Sequence, residues 1–260
     1  MYQLVRHGVS LRFEDVGKGA PPLVLLHDLA SDHTSYTSQI EHFRRNHRVV
    51  AVDLRGHGQS DEPEQEYTVA GFADDVAWLC YELGVYRPTI VGHGLGGLVG
   101  LDLAARYPDL PGALVALNSP ILPPPESHAF RRSFAERLRA STFREALRVL
   151  VEGQLLPDTA PCHVDLVLGP ASSISQQTVT SAWENALTWN GTAAAAACGV
   201  PILFVDGGTD ATDLQHLRKL CPQLKVGKTA GTGHYLHLEA PRQVNAMIDG
   251  FLDLLTKPSG

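Results

Sequence analysis

An acidic residue and a histidine in the C-terminal quarter of the chain have the types and order that acid–base chemistry requires. Asp210 ends the segment DGGTD after an apolar run, and His234 ends the segment GTGH after the last predicted strand. A carboxylate that hydrogen-bonds a histidine fixes the tautomer of the ring and lets it act as a general base. The segment that ends in Asp210 and the segment that ends in His234 therefore offer an acid and a base for a catalytic site.

The nucleophile that this base would activate is missing from the place where it is expected. Residues 90–97 read IVGHGLGG, the end of a strand that turns into a helix. In the G-x-S-x-G elbow a serine occupies such a turn and projects its hydroxyl above the sheet. Gly92 and Gly96 match the flanking glycines, but Gly94 stands at the serine position. Glycine has no side chain to attack a carbonyl, so the mechanism depends on this position.

The same glycines also match a dinucleotide-binding pattern. Gly92, Gly94 and Gly97 fit G-x-G-x-x-G, and they follow a strand and open a helix. Such a site needs an acidic residue at the end of the next strand and normally lies at the first strand–helix turn. Here the next strand ends in Asn118 and Ser119, and several strands precede the motif. We therefore favour the elbow.

The elements that must position these residues follow from the apolar pattern. Short apolar runs closed by turn signals alternate with helical patterns, which predicts an α/β fold with a doubly wound, mostly parallel sheet. The predicted strands are Leu23–Leu26, Val49–Val52, Thr89–Val91, Ala113–Leu117 and Ile202–Val205. Tyr2–Val5 and Leu11–Glu14 are expected to form an antiparallel hairpin at the sheet edge.

One long segment interrupts this alternation. Residues 121–197 contain helical patterns and no strand-like run, and prolines 123–125 mark the entrance. An insertion between two core strands at their carboxyl ends is typical of a lid over a ligand crevice. We predict a core domain of residues 1–120 and 198–260 and a helical lid of residues 121–197.

Four strings together resemble one known family over essentially the full chain. They are LLHD at 25–28, DLRGHGQSD at 53–61, VGHGLGG at 91–97 and GHYLHLEAP at 233–241. The chain resembles the α/β-hydrolase-fold superfamily, of the lid-bearing esterase, lactonase and C–C hydrolase type. The resemblance implies that Gly94 is the nucleophile position, Asp210 the acid and His234 the base. It also implies that the backbone amides of Leu29 and Leu95 form the oxyanion hole.

A second position departs from that family. Asp28 replaces the glycine that usually follows the histidine of the oxyanion loop. A carboxylate there opposes a forming oxyanion unless it is protonated or turned away. Alternatively, Asp28 is a turn residue that points to solvent or caps local backbone amides, and both interpretations stay open. We predict substrate contacts from Asp28, His33 and Trp183.

Composition limits the partners. Apolar residues make up 44% and charged residues 19% of the 260 residues, and the net charge is −7. Dispersed acidic residues argue against nucleic acid or an anionic membrane as a partner, and no run has the length of a membrane span or the apolar core of a signal peptide. We expect a cytoplasmic protein with a small apolar substrate, no cofactor and no metal, and the oligomeric state stays open. The scattered cysteines are expected to be free thiols.

Three hypotheses about function remain. In the first, which we favour because the rest of the elbow is intact, the parent protein hydrolyses a small or medium apolar ester or lactone, or a C–C bond beside a ketone, with a Ser-His-Asp triad. Gly94 is then an engineered, inactive, substrate-trapping substitution. In the second, glycine is native and a His–Asp dyad does serine-independent chemistry, as a lyase or a cofactor-free dioxygenase. In the third, the chain is a non-catalytic ligand-binding module.

Overall fold

The sheet of the protein is predominantly parallel, as predicted. In the computed structural model, which describes residues 1–256, eight strands pair in the order β1-β2-β4-β3-β5-β6-β7-β8. The strands are β1 (Tyr2–Arg6), β2 (Val9–Val16), β3 (Leu23–Leu26), β4 (Val49–Asp53), β5 (Thr89–His93), β6 (Ala113–Leu117), β7 (Ile202–Asp206) and β8 (Leu224–Lys228). Strands β1 and β2 are antiparallel to their neighbours, and the remaining pairs are parallel. The predicted edge hairpin is therefore confirmed.

Helices lie between the strands. A short 3-10 helix spans His33–Tyr36. The α-helices are α1 (Thr37–Phe43), α2 (Val69–Glu82), α3 (Leu95–Arg106), α4 (Ser127–Arg139), α5 (Phe143–Gln154), α6 (Pro161–Ser173), α7 (Gln176–Thr188), α8 (Gly191–Ala197), α9 (Leu214–Leu220), α10 (Leu236–Glu239) and α11 (Pro241–Thr256). No helix among residues 1–256 is both long enough and apolar enough to cross a membrane.

Helices on both faces of the sheet explain why the central strand β3 is continuously apolar. Successive side chains of a strand point to opposite faces. Val24 and Leu26 accordingly pack in the cluster that includes residues of α2 and α3, whereas Leu23 and Leu25 pack in the cluster that includes residues of α1 and α11. Because both faces of β3 are buried, none of its four residues is polar.

Helices α4 to α7 form a third apolar cluster above the carboxyl ends of the strands. Phe134, Leu147 and Val179 pack there against Tyr235 and Leu238 of the core segments. Helix α8 differs from the other helices between β6 and β7, because it packs against α3 and α9. The helices between β6 and β7 thus run from Ser127 to Ala197, with α8 packed as part of the core, and the division into a core domain and a lid of residues 121–197 stays a prediction. Movement of these helices as a lid also stays a prediction.

The site depends on a close approach of helix α3 to the sheet. A Cβ on Gly96 would lie 2.1 Å from the carbonyl oxygen of Leu26, and a Cβ on Gly92 would lie 2.2 Å from the carbonyl oxygen of Gly96. Both neighbours are backbone atoms, which cannot swing away as a side-chain end can. Glycine at these two positions therefore lets α3 begin directly above the sheet.

We expect Gly96→Ala to lower the free energy of unfolding by about 1–3 kcal/mol, because it forces the helix away from the sheet. The matched control is Gly250→Ala in α11, where a Cβ meets nothing within 4 Å. The control is expected to stabilise the protein by up to about 1 kcal/mol, since alanine favours helix. Urea unfolding of both variants measures the effects. Equal stability of the two variants would contradict the packing argument.

Candidate active site

The turn at Gly94 has the backbone geometry of a nucleophile elbow. Strand β5 ends at His93 and α3 begins at Leu95, with Gly94 between them at φ +49° and ψ −114°. The amide of Gly94 donates to the carbonyl oxygen of Leu117 at 3.1 Å, which anchors the turn to the neighbouring strand β6. The positive φ favours glycine, so any side chain at this position is held under strain.

The space beside Gly94 is filled by the carboxylate of Asp28. A Cβ built on Gly94 would lie 2.0 Å from Asp28 Oδ1 and 2.4 Å from Asp28 Oδ2. The two departures from the family pattern are thus complementary, because the carboxylate of one residue occupies the place of the missing side chain of the other. A serine at position 94 requires the Asp28 side chain to leave this position.

Donors from three segments hold the Asp28 carboxylate. Oδ1 accepts hydrogen bonds from the amides of Leu95 at 2.6 Å and Leu29 at 2.8 Å. These are the two amides predicted to form the oxyanion hole. Oδ2 lies 2.8 Å from His234 Nε2. Asp28 therefore does not point to solvent; its carboxylate caps these backbone amides, as one of the two alternatives predicted, and also faces the elbow and the histidine.

The loop that carries Asp28 is fixed from below by a buried histidine. His27 Nδ1 donates to the carbonyl oxygen of Asp28 at 2.7 Å, and His27 Nε2 accepts from the amide of Leu54 at 3.0 Å. Both ring nitrogens are thus used to join the end of β3 to the segment after β4. This bracing keeps the Asp28 backbone in register with the start of α3.

The far side of His234 is bound by Asn118, a residue that the sequence analysis did not predict as a site residue. Asn118 Oδ1 accepts from the hydroxyl of Thr209 at 2.9 Å and from the amide of Gly207 at 3.3 Å. Its Nδ2 therefore faces His234 Nδ1, at 3.0 Å, and donates to it. The His234 proton then lies on Nε2 and is donated to Asp28 Oδ2, because Nδ1 acts as an acceptor.

The expected pairing of Asp210 with His234 is not found. Among residues 1–256 no hydrogen bond or ion pair joins the two side chains, and Asn118 takes the orienting position. Asp210 lies in the loop after β7, with φ +50°, and lines the cavity described below. Asn118 could have been found from its place directly after β6. That place was examined in the sequence only for a carboxylate, such as that of a dinucleotide-binding site.

His33 also lies elsewhere than expected. Its Nδ1 is 2.7 Å from Asp53 Oδ1, and its backbone amide donates to the same oxygen at 2.9 Å. Asp53 is buried at the end of β4 and also accepts from the amide of Gln59 at 2.9 Å. His33 is therefore held by this carboxylate and is not among the described residues that line the cavity. The expected substrate contact from His33 is accordingly replaced by a role in holding the loop.

The hydrogen bonds keep Asp28 ionised. Burial alone raises the pKa of the Asp28 carboxyl, but the hydrogen bonds that it accepts from His234 and from the amide of Leu95 outweigh burial, so that the pKa lies well below its ordinary value. Burial lowers the pKa of the neighbouring His93 to about 3, so His93 is neutral. The floor of the site therefore carries a fixed negative charge.

Two groups of side chains bring the donor atoms that metal ions prefer within 4.8 Å of one another. They are Asp28, His93 and His234, and Asp32, His33 and Asp53. In the first group, the hydrogen bond from His234 to Asp28 joins two of the atoms that would face an ion. The nitrogen Nε2 of His93 is also engaged, since it donates to the carbonyl oxygen of His234 at 2.9 Å. An ion would thus have to displace existing hydrogen bonds, because its ligands must present lone pairs.

A cavity of about 570 Å³ opens above Asp28 and Gly94. Its floor includes Leu95 and His234, and its roof comes from helices α4, α5 and α7. The roof side chains are mostly apolar and include Phe130, Leu147, Leu150, Val151 and Trp183, together with Arg131. Trp183 thus lies where a substrate contact was predicted, whereas no motif pointed to Arg131.

The fold and the elbow indicate one class of protein, and a comparison with known protein families gives the same class. The family described as "alpha/beta hydrolase fold" matches residues 21–159 of the chain. The chain belongs to the alpha/beta hydrolase fold family.

Curated relatives match part of the chain. It is 32% identical over 125 residues to the bifunctional epoxide hydrolase 2 of Sus scrofa, covering 47% of this chain and 22% of that protein. It is 34% identical over 110 residues to the 2-(acetamidomethylene)succinate hydrolase of Mesorhizobium japonicum, covering 42% of this chain and 39% of that protein. The matches thus span well under half of these relatives.

Solved structures match the whole fold. A malate-bound thermophilic esterase from Thermogutta terrifontis is 26% identical, with a TM-score of 0.86 and coverage of 99% of this chain and 100% of that chain. An enol-lactonase from Burkholderia xenovorans is 23% identical, with a TM-score of 0.86 and coverage of 97% and 100%. At 23% identity the second likeness shows the fold alone.

We expect Gly94→Ser alone to give no acyl-enzyme burst with an activated aryl ester, because Asp28 occupies the oxyanion amides and the space of the new side chain. The double variant Gly94→Ser with Asp28→Gly frees both and is expected to give a burst once Asn118 turns its Oδ1 toward His234 Nδ1, which frees Nε2 to accept the serine proton. Stopped-flow release of the aryl alcohol measures it, and adding His234→Ala to the double variant should abolish it. A burst of equal size in the single variant would contradict the coupling of the two positions.

Proposed function

We propose that this chain is a hydrolase that works natively without a serine and uses the Asp28 carboxylate as its nucleophile. One observation carries the proposal: the carboxylate lies in the space of the missing elbow side chain, with Oδ1 on both oxyanion amides and Oδ2 beside His234. Carboxylates serve as nucleophiles in covalent catalysis when they are held in place and partly desolvated.

The proposal differs from hydrolysis of an ester or lactone by direct attack on its carbonyl. That reaction needs free donors where the oxyanion forms, and here both amides already bind a carboxylate oxygen. A second negative charge beside Asp28 would be repelled. The space that the Asp28 carboxylate needs then explains a native glycine at position 94. An engineered substitution of a serine is not needed to account for Gly94.

The electrophile that suits this arrangement is a saturated carbon with a strained or good leaving group, such as an epoxide. A lone pair of Asp28 Oδ2 attacks the carbon, the carbon–oxygen bond of the ring breaks, and the alkoxide takes a proton from water. The product of this step is an alkyl ester of Asp28. Its carbonyl oxygen is Oδ1, which stays on the amides of Leu29 and Leu95.

Hydrolysis of that ester restores the enzyme. Water adds to Cγ of Asp28, and the amides of Leu29 and Leu95 stabilise the negative charge that forms on Oδ1. The Cγ–Oδ2 bond then breaks, and the diol leaves with the original Oδ2. To accept the proton of the attacking water, His234 must carry its own proton on Nδ1, and Asn118 must turn its Oδ1 toward that nitrogen.

The comparisons and the cavity lend support to this class. Relatives named epoxide hydrolase show that the family includes enzymes for such substrates, alongside neighbours named esterase and enol-lactonase. The mostly apolar roof and the volume of about 570 Å³ suit a small or medium apolar substrate. No step of the proposed reaction requires a cofactor.

A second candidate is a ligand-binding protein without turnover. The observation that favours it is the hydrogen bond from Asn118 Nδ2 to His234 Nδ1, which leaves no free base at Nε2. In that case Asp28 is a fixed anion that recognises a hydrogen-bond donor of the ligand.

An isotope experiment tests the nucleophile. With enzyme in excess over styrene oxide in oxygen-18-labelled water, the diol of the first turnover is expected to contain only unlabelled oxygen, and the label is expected in the peptide that contains Asp28. Mass spectrometry of diol and peptide measures both. Asp28→Asn should abolish the reaction, whereas the surface control Asp249→Asn should not change it. Label in the first-turnover diol would exclude Asp28 as the nucleophile, and binding without any covalent adduct would select the second candidate.

A substitution beside His234 tests the second step. Asn118→Asp should speed hydrolysis of the Asp28 ester by about 10-fold or more, because a carboxylate favours the proton on Nδ1, and a wrong histidine tautomer costs up to about 10⁴-fold in a serine protease triad. Quench-flow detection of the covalent adduct separates its decay from its formation. The exposed Asn46→Asp is the charge-matched control. An unchanged decay rate in Asn118→Asp would show that the tautomer does not limit the reaction.

A further inference from the structure

We propose that Arg131 is an anion-binding residue in the roof of the cavity and that the substrate carries a carboxylate at the end remote from Asp28. Arg131 lies in α4 and is the one Lys or Arg side chain among the described residues that line the cavity. This inference deepens the proposed function, on which it rests, because it names the substrate class of the same site.

Packing holds Arg131 at the cavity. Its guanidinium carbon lies 5.4 Å from the ring centre of Trp183, within the range of a cation–π contact. The indole Nε1 of Trp183 donates to the backbone oxygen of Arg131 at 3.0 Å. Trp183 in turn meets Phe134 edge-on, with ring centres 4.8 Å apart. The cation is therefore supported by an aromatic wall.

No carboxylate of residues 1–256 neutralises this cation. Other arginines have a carboxylate oxygen within 4.0 Å of a guanidinium nitrogen, such as Arg48 with Asp15 and Arg55 with Asp75. Arg131 has none among the described residues. Asp210, which also lines the cavity, makes no ion pair with it. A partly buried charge without a partner loses part of its hydration, so a ligand anion is the partner that the cavity lacks.

The charges of Arg131 and Asp28 favour one orientation of an anionic ligand in the cavity. Burial lowers the pKa of Arg131, and the opposing influence comes from the negative charge of Asp28 across the cavity. A ligand carboxylate near the floor would be repelled by Asp28, whereas at the roof it gains charge-assisted hydrogen bonds from the guanidinium. A bound carboxylate at Arg131 thus directs the opposite, apolar end of the ligand toward Asp28.

The substrate class follows from this orientation. It is a small acid with an apolar linker and an electrophilic carbon at the far end. The roof residues Leu147, Leu150 and Val151 provide the apolar contacts for the linker. Neutral analogues of the same shape lose the contact with Arg131 and leave its charge without a partner.

Binding of phenylbutyrate and of its uncharged amide, which have nearly the same shape, tests the inference by titration calorimetry. The acid is expected to bind the unmodified chain about 10- to 100-fold more tightly than the amide, the range of a hydrogen bond to a charged group. Arg131→Gln should abolish this preference, and Arg131→Lys should keep part of it. Arg132→Gln, which removes a charge from the exposed neighbouring position of the same helix, should leave the preference intact.

Equal binding of acid and amide to the unmodified chain would overturn the inference, and so would a preference that survives in Arg131→Gln. Thermal unfolding of each variant confirms that it is folded. Because binding needs no turnover, the result is separate from the isotope experiment. A preference for the acid together with label in the first-turnover diol would retain the anion site and reject Asp28 as the nucleophile.

Discussion

The contact between the Asp28 carboxylate and the start of helix α3 is the interaction on which the rest of the site depends. Oxygen atoms of one carboxylate bind the amides of Leu29 and Leu95 and the ring of His234. This contact is sterically possible only because Gly94 has no Cβ. The two amides that the sequence analysis predicted as an oxyanion hole hold instead a carboxylate of the chain itself.

The fold followed from the sequence wherever burial on both faces of the sheet left a continuous apolar run. Strands β3 and β6 have the predicted bounds, and β4, β5 and β7 extend beyond them by one or two residues. Strand β8 had no such signal, because it lies at the sheet edge and contains Lys225 and Lys228. An edge strand is more exposed to water, so the apolar pattern in its sequence is weaker.

The sequence predicted where the site residues lie along the chain, but not which side chains contact one another. Motifs identified the locations of Gly94, Asp28 and His234, since these are fixed by turns at strand ends. Which side chains touch one another depends on rotamers and on loops that meet only in three dimensions. Asn118 therefore took the place foreseen for Asp210 beside the histidine. A cation in a helical segment without a motif, such as Arg131, has no local signal at all.

The steric conflict between positions 28 and 94 also constrains how such a protein can arise. A serine hydrolase that acquires the aspartate first must fit its carboxylate into space that the serine Cβ already occupies. If glycine comes first, no side chain at position 94 limits where the Asp28 carboxylate lies. The effect of a substitution at one position therefore depends on the residue at the other, so the two residues form an epistatic pair. The order with glycine first is the one that keeps the oxyanion loop unstrained throughout.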